Sequence, residues 1–335
     1  MDYIFRKVAL DLFNNTNVTT DNTTGNDLSP EMKTYYSTYL IRLAEPLLVH
    51  DQFGQKHPIP KNGGKTIEFR KYDSLPKALT PLTEGVTPSG QNMNVSIVTA
   101  NIAQYGGYIE LSDLLMLTAI DNNLMEATRL IADQAGRTLD TITREVLVGG
   151  TNVQYGANSK TARNALVGGA ASGNDYMSVD AIRMAVRTLK VQNAKRINGH
   201  YVAIIHPDVA YDLVNDPKWE AVKDYDPSDW YEGEIGRIAG VRFVETTEAK
   251  VFANAGASGR AVYATLVLGS DAYGVTEVEG GGLQHIVKQL GSAGTADPLD
   301  QRATVGWKAT KTAERLVEQY MVRIETTSTF ESADA

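Results

Sequence analysis

The sequence predicts an α+β protein whose extended and helical segments occupy separate stretches of the chain. Three observations lead to this class. Residues 65–111 are largely extended in pattern, with apolar residues that alternate, residues 121–148 carry one long helical pattern, and residues 177–324 mix short strands with helices. At 335 residues, the chain is long enough for about two domains.

Composition narrows the classes of function. The chain is 42% hydrophobic and 21% charged, which is typical of a globular protein. It has no cysteine, which excludes a disulfide scaffold, a cysteine-ligated zinc site and a thiol nucleophile. The net charge of −8 argues against a dedicated nucleic-acid-binding protein. No apolar run reaches membrane-spanning length, and Arg6 and Lys7 interrupt the first one, so we expect neither a transmembrane helix nor an export signal.

The first 56 residues are predicted to form an arm followed by a helix. Residues 14–29 are almost entirely Asn, Thr, Asp and Gly, and two interpretations stay open: an unstructured terminus, or an arm that is ordered by a neighbouring molecule. Residues 30–49 are predicted to be helical, because Pro30 follows the potential N-cap Ser29 and apolar residues recur every three or four positions. Pro46 should end or kink this helix.

Two extended segments then flank a long loop. Residues 65–72 alternate in polarity, and residues 93–111 are extended again, with a bend or bulge expected at Gly106-Gly107. The loop between them, residues 74–91, contains three prolines and two glycines. Because an isolated hairpin is marginally stable in water, we expect this one to lie on another surface. A loop of this length is usually functional.

A long helix is the strongest pattern in the chain. Ser112 or Asp113 can cap a short helix before it. From Asp121, apolar residues recur every three or four positions until Gly149-Gly150, which predicts a rod of about 28 residues and roughly 40 Å.

Residues 150–176 are rich in Gly, Asn, Ser and Ala, and a pattern of alternating short helices and strands follows them. Ser178 should cap a helix, residues 201–205 form an apolar run typical of a buried strand, and Asp208 can cap a short helix. Further strands are predicted at residues 241–245, 261–268, 283–290, 303–307 and 316–324.

No motif supports an enzyme strongly. His200, His206 and Asp208 could form a metal site, but ordinary hydrogen bonds at strand ends explain them better. Residues 212–234 contain eight carboxylates interleaved with four aromatic residues, a combination that also occurs in glycosidases. The favoured interpretation is a solvated loop whose aromatic residues anchor it to its own domain or to a neighbour. We therefore assign no catalytic, cofactor-binding or metal-binding residues.

The order of elements resembles the major capsid proteins of tailed phages, which have the Hong Kong 97-type fold, and is most similar to the phage N-four-like capsid family. The segments that carry the resemblance are GGKTIEFRKY, LTEGVTP, YGGYIELSDL, HPDVAYDL, GEIGRIAGVRFVET and DPLDQRATVGWKA. The resemblance implies five parts: an N-terminal arm and helix (1–56), an extension loop (57–111), a peripheral domain with a spine helix (112–176), a mixed α/β axial domain (177–299), and return strands with a C-terminal tail (300–335).

The resemblance also implies a structural function. Copies of the chain would self-assemble into hexamers and pentamers of an icosahedral head around double-stranded DNA, without a cofactor and without a membrane. Scaffolding, portal and decoration proteins are candidate partners, and contact with packaged DNA would be weak and non-specific. The expected location is the virion shell, assembled in the host cytoplasm.

The hairpin supplies the candidate contact residues. We hypothesise that Arg70, Lys71 and Glu84 form ion pairs between subunits, because they place charge on an element with little core of its own. Two other classes of function stay open at this point: a carbohydrate-active enzyme that uses the acidic cluster, and another lattice-forming surface protein.

Overall fold

The computed structural model describes most of the chain after its N-terminal part. The described residues are 48–60, 64–72, 75–118, 123–157, 160–169, 173–219, 236–276, 281–292 and 297–330. The predicted arm, nearly all of the predicted N-terminal helix and most of the acidic cluster therefore lie outside the described residues.

The secondary structure contains both strands and helices. The helices are α1 (Asp113–Thr118), α2 (Asn123–Val148), α3 (Val179–Val191) and α4 (Pro207–Val214). The strands are β1 (Gln55–Lys56), β2 (Thr66–Tyr72), β3 (Val95–Asn101), β4 (Ala103–Ser112), β5 (Val153–Tyr155), β6 (Tyr201–Ile205), β7 (Arg237–Ile238), β8 (Val241–Glu245), β9 (Val251–Phe252), β10 (Val262–Leu268), β11 (Tyr273–Thr276), β12 (Gln284–Lys288), β13 (Arg302–Arg315) and β14 (Met321–Thr326). None of the helices in these ranges is long and apolar enough to cross a membrane.

The chain forms two compact units. Among the described residues, the first unit takes in Gly106–Ala135 and Leu283–Lys308. The described residues within 48–105, 136–282 and 309–330 belong to the second unit. The first part of helix α2 belongs to the first unit and its last part to the second unit. Strand β13 is divided between the two units in the same way.

A seven-stranded sheet forms the centre of the second unit. Its order is β5-β14-β10-β6-β8-β7, and β9 pairs with β10. One face packs against α3 and α4, where Ala203 and Ile205 are buried. The other face packs against the end of α2 and against β11, where Ile204 is buried. Burial on both faces explains why the sequence of β6 is continuously apolar.

The helix predictions after residue 111 are confirmed in position and in most of their caps, whereas the predicted helix at residues 30–49 lies almost wholly outside the described residues. Helix α2 runs for 26 residues and ends at Val148, directly before Gly149, and the side chain of Ser178 accepts a hydrogen bond from the backbone of Ala181 at the start of α3. The predicted cap of α4 was wrong: the N-cap is His206, whose Nδ1 accepts the N–H of Asp208, with Pro207 at the first helical position. Proline is favoured at that position because its missing donor is not needed there.

Strand β13 is longer than predicted. It pairs with β12 in the first unit, from Lys308 to Thr304, and with β11 in the second, from Arg315 to Thr312. The predicted strand at residues 316–324 was placed too early, because a 3₁₀ turn at Glu318–Tyr320 precedes β14.

Glycines 106 and 107 lie inside β4, which continues through both of them without a break. A Cβ atom on Gly106 would lie 2.7 Å from the carbonyl oxygen of Trp307, and one on Gly107 would lie 2.6 Å from Oε1 of Gln134. Both contacts lie within the first unit, where Trp307 donates its indole N–H to Gln134 at 3.1 Å. Close packing, which leaves no room for a side chain, accounts for the two glycines.

A group of buried polar side chains lies where α2 and β13 meet residues 50–51 in the second unit. We call His50, Asp51, Asp140, Thr143 and Lys311 the buried polar junction. His50 donates its backbone N–H to Asp140 at 2.8 Å, and its Nδ1 lies 2.6 Å from the same carboxylate. Lys311 pairs with Asp51 and donates to the carbonyl of Leu139 at 2.9 Å, and Thr143 donates to Asp51 at 2.5 Å.

The backbone carbonyl of His50 is also satisfied, because it accepts the hydroxyl of Tyr273 on β11. Burial of this tyrosine raises the pKa of its phenol, so the hydroxyl stays protonated and remains a donor. Lys311 is only 2% exposed and Asp140 is fully buried. Buried charges are tolerated only when they are paired and hydrogen-bonded, so the junction has to form as a set.

We predict that Lys311→Met destabilises the chain. The substitution leaves Asp51 without its cation, and removal of one partner of a buried ion pair costs about 3 kcal/mol or more. Urea unfolding of the dissociated subunit, followed by circular dichroism, measures the change. Lys308→Met on the exposed side of the same strand is the matched control and should change the unfolding free energy by less than about 0.5 kcal/mol. Equal effects of the two variants would contradict the role of the junction.

We also predict a loss of stability at mildly acidic pH through His206. Burial lowers the pKa of this imidazole below its usual 6.5, although the nearby Asp208 opposes the change. Below about pH 6.5 the unfolded chain therefore binds a proton that the folded chain does not, and the folded state loses stability until the pH passes the folded-state pKa. The protonated ring also cannot accept the N–H of Asp208. His206→Asn keeps a capping side chain that does not titrate, so its urea midpoint should fall less between pH 8 and pH 5 than that of the wild type. Parallel pH profiles for the two proteins would contradict this assignment.

Candidate functional site

Strands β2 and β3 form a regular antiparallel hairpin in the second unit. The register runs from Thr66 opposite Asn101 to Tyr72 opposite Val95, and the N–H of Ile102 donates to the carbonyl of Lys65 at 2.9 Å. The strand predictions for both segments are confirmed. The residues between Tyr72 and Val95 form the connection, of which residues 75–94 are described; we call these the hairpin loop.

The hairpin is anchored near its base. Phe69 of β2 packs edge-on against His57, with 5.2 Å between ring centroids. Its ring also lies over Gly274 of β11, where an added Cβ would be 3.3 Å from the phenyl carbons. The absence of a side chain at Gly274 therefore makes room for the anchor.

The hairpin loop itself is exposed throughout. Every residue from 75 to 94 is exposed. Three of its apolar side chains are almost fully in solvent: Leu79 is 82% exposed, Leu82 is 76% exposed and Met93 is 72% exposed. Full burial of such a side chain is worth roughly 1.5–3 kcal/mol. The loop therefore presents apolar surface that a second molecule could cover.

The structure separates the three predicted contact residues along the hairpin. Arg70 is exposed in β2, Lys71 follows it in the same strand, and Glu84 is exposed in the hairpin loop. Glu84 occupies a turn closed by the N–H of Val86 and the carbonyl of Thr83 at 3.1 Å. Gly85 has φ of +79° in this turn, a conformation that favours glycine. Within the described ranges, neither Arg70 nor Glu84 forms an ion pair in its own chain.

A second exposed apolar surface lies in the first unit, on α1 and the start of α2. In α1, four consecutive apolar residues point to all sides of a short helix, so burial of one side leaves the others exposed. The members of the surface are Leu114, Leu115, Met116, Leu117, Met125 and Leu130. We call this set the α1 surface. The sequence contained this signal in the run Leu114 to Leu117, which is apolar on all sides of a helix.

The described carboxylates of the acidic cluster have structural tasks. Asp212 is buried and accepts both the backbone N–H and the hydroxyl of Thr329. Asp216 accepts the first N–H of α3, from Val179, at 2.8 Å. Trp219 packs edge-on against Phe243 in the core, with 5.6 Å between centroids. These groups are used in packing and capping, which leaves them unsuited to act as a glycosidase acid and base.

The candidate metal site also has a structural explanation. His206 caps α4, and Asp208 accepts the hydroxyl of Tyr263 at 2.8 Å. No group of three or more metal-ligating side chains occurs among the residues that the structure describes.

Comparison with known proteins connects this geometry to one family. A family model described as "Phage capsid protein" matches residues 96–313, which is more than half of the chain. The chain belongs to the phage capsid protein family. The match begins within β3 of the hairpin and ends within β13. No curated protein sequence matches this phage capsid protein significantly.

Solved structures agree on the fold. The capsid of cyanophage Pam1 has a TM-score of 0.67 at 12% identity, with 93% of this chain and 98% of that chain covered. The capsid of Ralstonia phage GP4 has a TM-score of 0.65 at 15% identity, with 84% and 89% covered. The capsid of cyanophage P-SCSP1u has a TM-score of 0.62 at 14% identity, with 82% and 87% covered. At these identities the likeness concerns the fold, and it confirms the predicted α+β, Hong Kong 97-type architecture.

Membership in the family makes the function structural. The predicted major capsid protein of a tailed phage is confirmed at this level, and the carbohydrate-active enzyme considered from the acidic cluster is not favoured. The functional surfaces of this phage capsid protein are therefore the ones that can contact other copies in the virion shell.

Proposed function

We propose that this phage capsid protein is the subunit of a closed icosahedral head, and that its copies form the hexamers and pentamers of that shell around double-stranded DNA. The observation that carries the proposal is the hairpin loop, which is exposed along its whole described length and carries apolar side chains. A single copy offers nothing in the described structure that covers this loop. A repeated assembly supplies the missing surface from a neighbouring copy.

The contact we propose joins two different surfaces. The hairpin loop of one copy packs on the α1 surface of the next, so that Leu79 and Leu82 leave water together with the leucines of α1. Such a contact is heterologous, and heterologous contacts close into rings when the rotation between copies is suitable. Rings of six and five copies are the closed forms that build an icosahedral shell.

We assign the parts of the chain on the same basis. Residues 57–111 serve as the extension loop, residues 112–176 as the peripheral domain with α2 as its spine helix, and residues 177–299 as the axial domain. Residues 1–56 form the arm and first helix, and residues 300–335 return to the peripheral domain. The exposed hairpin and the long α2 support these roles.

The partners of the proposed shell follow from charge and from the fold. Strong binding to DNA depends on cationic side chains that contact many phosphates. Because the chain has a net charge of −8, we expect the lining of the shell to contact packaged DNA weakly and without sequence preference. We propose assembly in the host cytoplasm, with scaffolding, portal and decoration proteins as further candidate partners.

Electron microscopy of the purified protein tests the function. We expect closed shells or capsomer rings for the wild type and at least tenfold fewer for Leu79→Asp with Leu82→Asp, because the carboxylates would be buried in the contact. Thr80→Asp with Thr83→Asp adds the same charge to the same loop without removing apolar surface, and should assemble close to the wild-type level. Flat sheets would favour another lattice-forming protein, and isolated wild-type monomers would contradict the proposal.

Charge reversal on the hairpin tests the predicted ion pairs. We expect Glu84→Lys to reduce particle yield while the circular dichroism spectrum of the free subunit stays unchanged, since Glu84 has no ionic partner in the described part of its own chain. One exposed pair is worth under about 1 kcal/mol, so repetition over many copies must supply the effect. Addition of Arg70→Glu should restore yield if the two residues meet between copies. Wild-type yield from Glu84→Lys alone would contradict the hypothesis.

A further inference from the structure

One side of α3 carries a row of basic side chains that the proposed hairpin contact does not use. Arg183, Arg187 and Lys190 are exposed and lie at positions i, i+4 and i+7, so they share one side of the helix. The opposite side of α3 is buried against the seven-stranded sheet. The helix therefore presents three cations in a row on the surface of the second unit.

The row borders a groove whose other wall is the turn between β7 and β8. Ala239 and Gly240 form this turn with φ of +54° and +80°, the combination of a two-residue type I′ hairpin. The groove has a volume of about 530 Å³. It is lined by Arg183, Val186, Arg187, Lys190, Val191 and Ala239, and we call it the basic groove. Val191 is 64% exposed, so the groove combines cations with uncovered apolar surface.

The positive charge of the groove is only weakly compensated in its own unit. Arg183 lies 3.8 Å from Asp180, but Asp180 also pairs with Lys218. Lys218, followed by Arg183, lowers the pKa of the Asp180 carboxyl, so this one anion is shared by two cations. Among the residues that the structure describes, Arg187 and Lys190 have no acidic partner.

The chain itself contains a segment of complementary chemistry. Residues 220–235, which lie outside the described residues, include six acidic residues against one lysine, a formal charge of −5, and three aromatic residues. Carboxylates can pair with the row on α3, and an aromatic ring can cover Val191 and Ala239. Both the charge and the apolar character of the groove are matched by this segment.

The length of the segment allows it to reach beyond its own copy. It leaves the described structure after Trp219, close to the start of α3, where Lys218 pairs with Asp180. It returns at Gly236, just before β7 and shortly before Ala239, which lines the groove. Helix α3, with 13 residues, spans about 20 Å. The sixteen residues from 220 to 235 have a fully extended length of roughly 55 Å, and because both ends are held in the same copy, the middle of the segment can project by about half of that length.

We propose that the acidic segment 220–235 of one copy docks in the basic groove of the adjacent copy within a capsomer ring. This inference rests on the proposed function and adds a second, electrostatic contact to it. One copy carries both halves of the contact, an anionic segment and a cationic groove. That arrangement is the one that a head-to-tail ring requires.

Charge reversal with mixing of variants tests the contact. The groove variant carries Arg187→Glu and Lys190→Glu, and the segment variant carries Asp226→Lys and Asp229→Lys. Each variant alone places like charges in every contact, so we expect at least a tenfold loss of rings by native mass spectrometry and electron microscopy. An equimolar mixture should recover hexamers, because alternation of the two variants pairs opposite charges at all six contacts. Pentamers, with an odd number of copies, should recover less.

Controls separate the possible results. The variant that combines all four substitutions should assemble alone. Lys288→Glu with Lys308→Glu changes the same charge at exposed residues of β12 and β13, outside the groove, and should assemble like the wild type. Each free subunit is checked for folding by circular dichroism. If the fourfold variant assembles but the mixture does not, the contact forms within one copy and the inference is overturned. The inference is also overturned if neither the mixture nor the fourfold variant assembles. It is overturned as well if the groove variant or the segment variant assembles normally by itself. A wild type that forms no rings would instead contradict the proposed function.

Discussion

The buried pair between Lys311 and Asp51 is the interaction on which the described architecture depends. It joins the chain segment that leads into the hairpin, the middle of α2 and the far half of β13, three elements that are distant in sequence. A buried charge without its partner costs several kcal/mol, so these elements are stable only when they meet together. The hairpin starts fifteen residues after Asp51 in the chain, at Thr66.

This anchoring explains how one copy can keep an exposed hairpin without losing its fold. The base is held by Phe69 over Gly274 and against His57, whereas the hairpin loop makes no buried contact along its described length. Stability in proteins is distributed unevenly, and surfaces used for binding are drawn from the less stable parts. The loop is therefore available for a neighbouring copy, and its direction is set by the rigid base.

Local patterns predicted the elements that depend on local chemistry. Helix α2, the Ser178 cap and the buried strand β6 follow from periodicity, capping and continuous apolar sequence, and each was predicted at its observed place within a few residues. The exposed apolar surface is predictable only in part: the long loop indicates the hairpin, but the sequence of α1 indicates a short helix without showing that its leucines are exposed.

Features that depend on distant residues could not be predicted in this way. Lys311 looks like a solvent-facing residue in the run Lys308 to Thr312, and only the fold shows that it occupies a buried position of β13. Because this polar residue occupies a buried position, the alternation of apolar and polar residues along β13 is interrupted in the sequence, and the sequence predicts a shorter strand than the structure contains. Gly106 and Gly107 resemble a flexible bend in sequence, but Trp307 and Gln134 show that they are sites of close contact.

The continuity of β13 has a consequence for how the chain reaches a unique structure. Successive residues of a strand point to opposite sides, so a slip of one residue would turn Lys311 away from Asp51 and, in the same movement, Trp307 away from Gln134. Two chemically unrelated contacts therefore both depend on the same register of β13. A chain with the wrong register would leave the Lys311 ammonium and the Trp307 indole N–H without these partners at the same time. Its folded state would be less stable, so the correct register is favoured before the chain enters a larger structure.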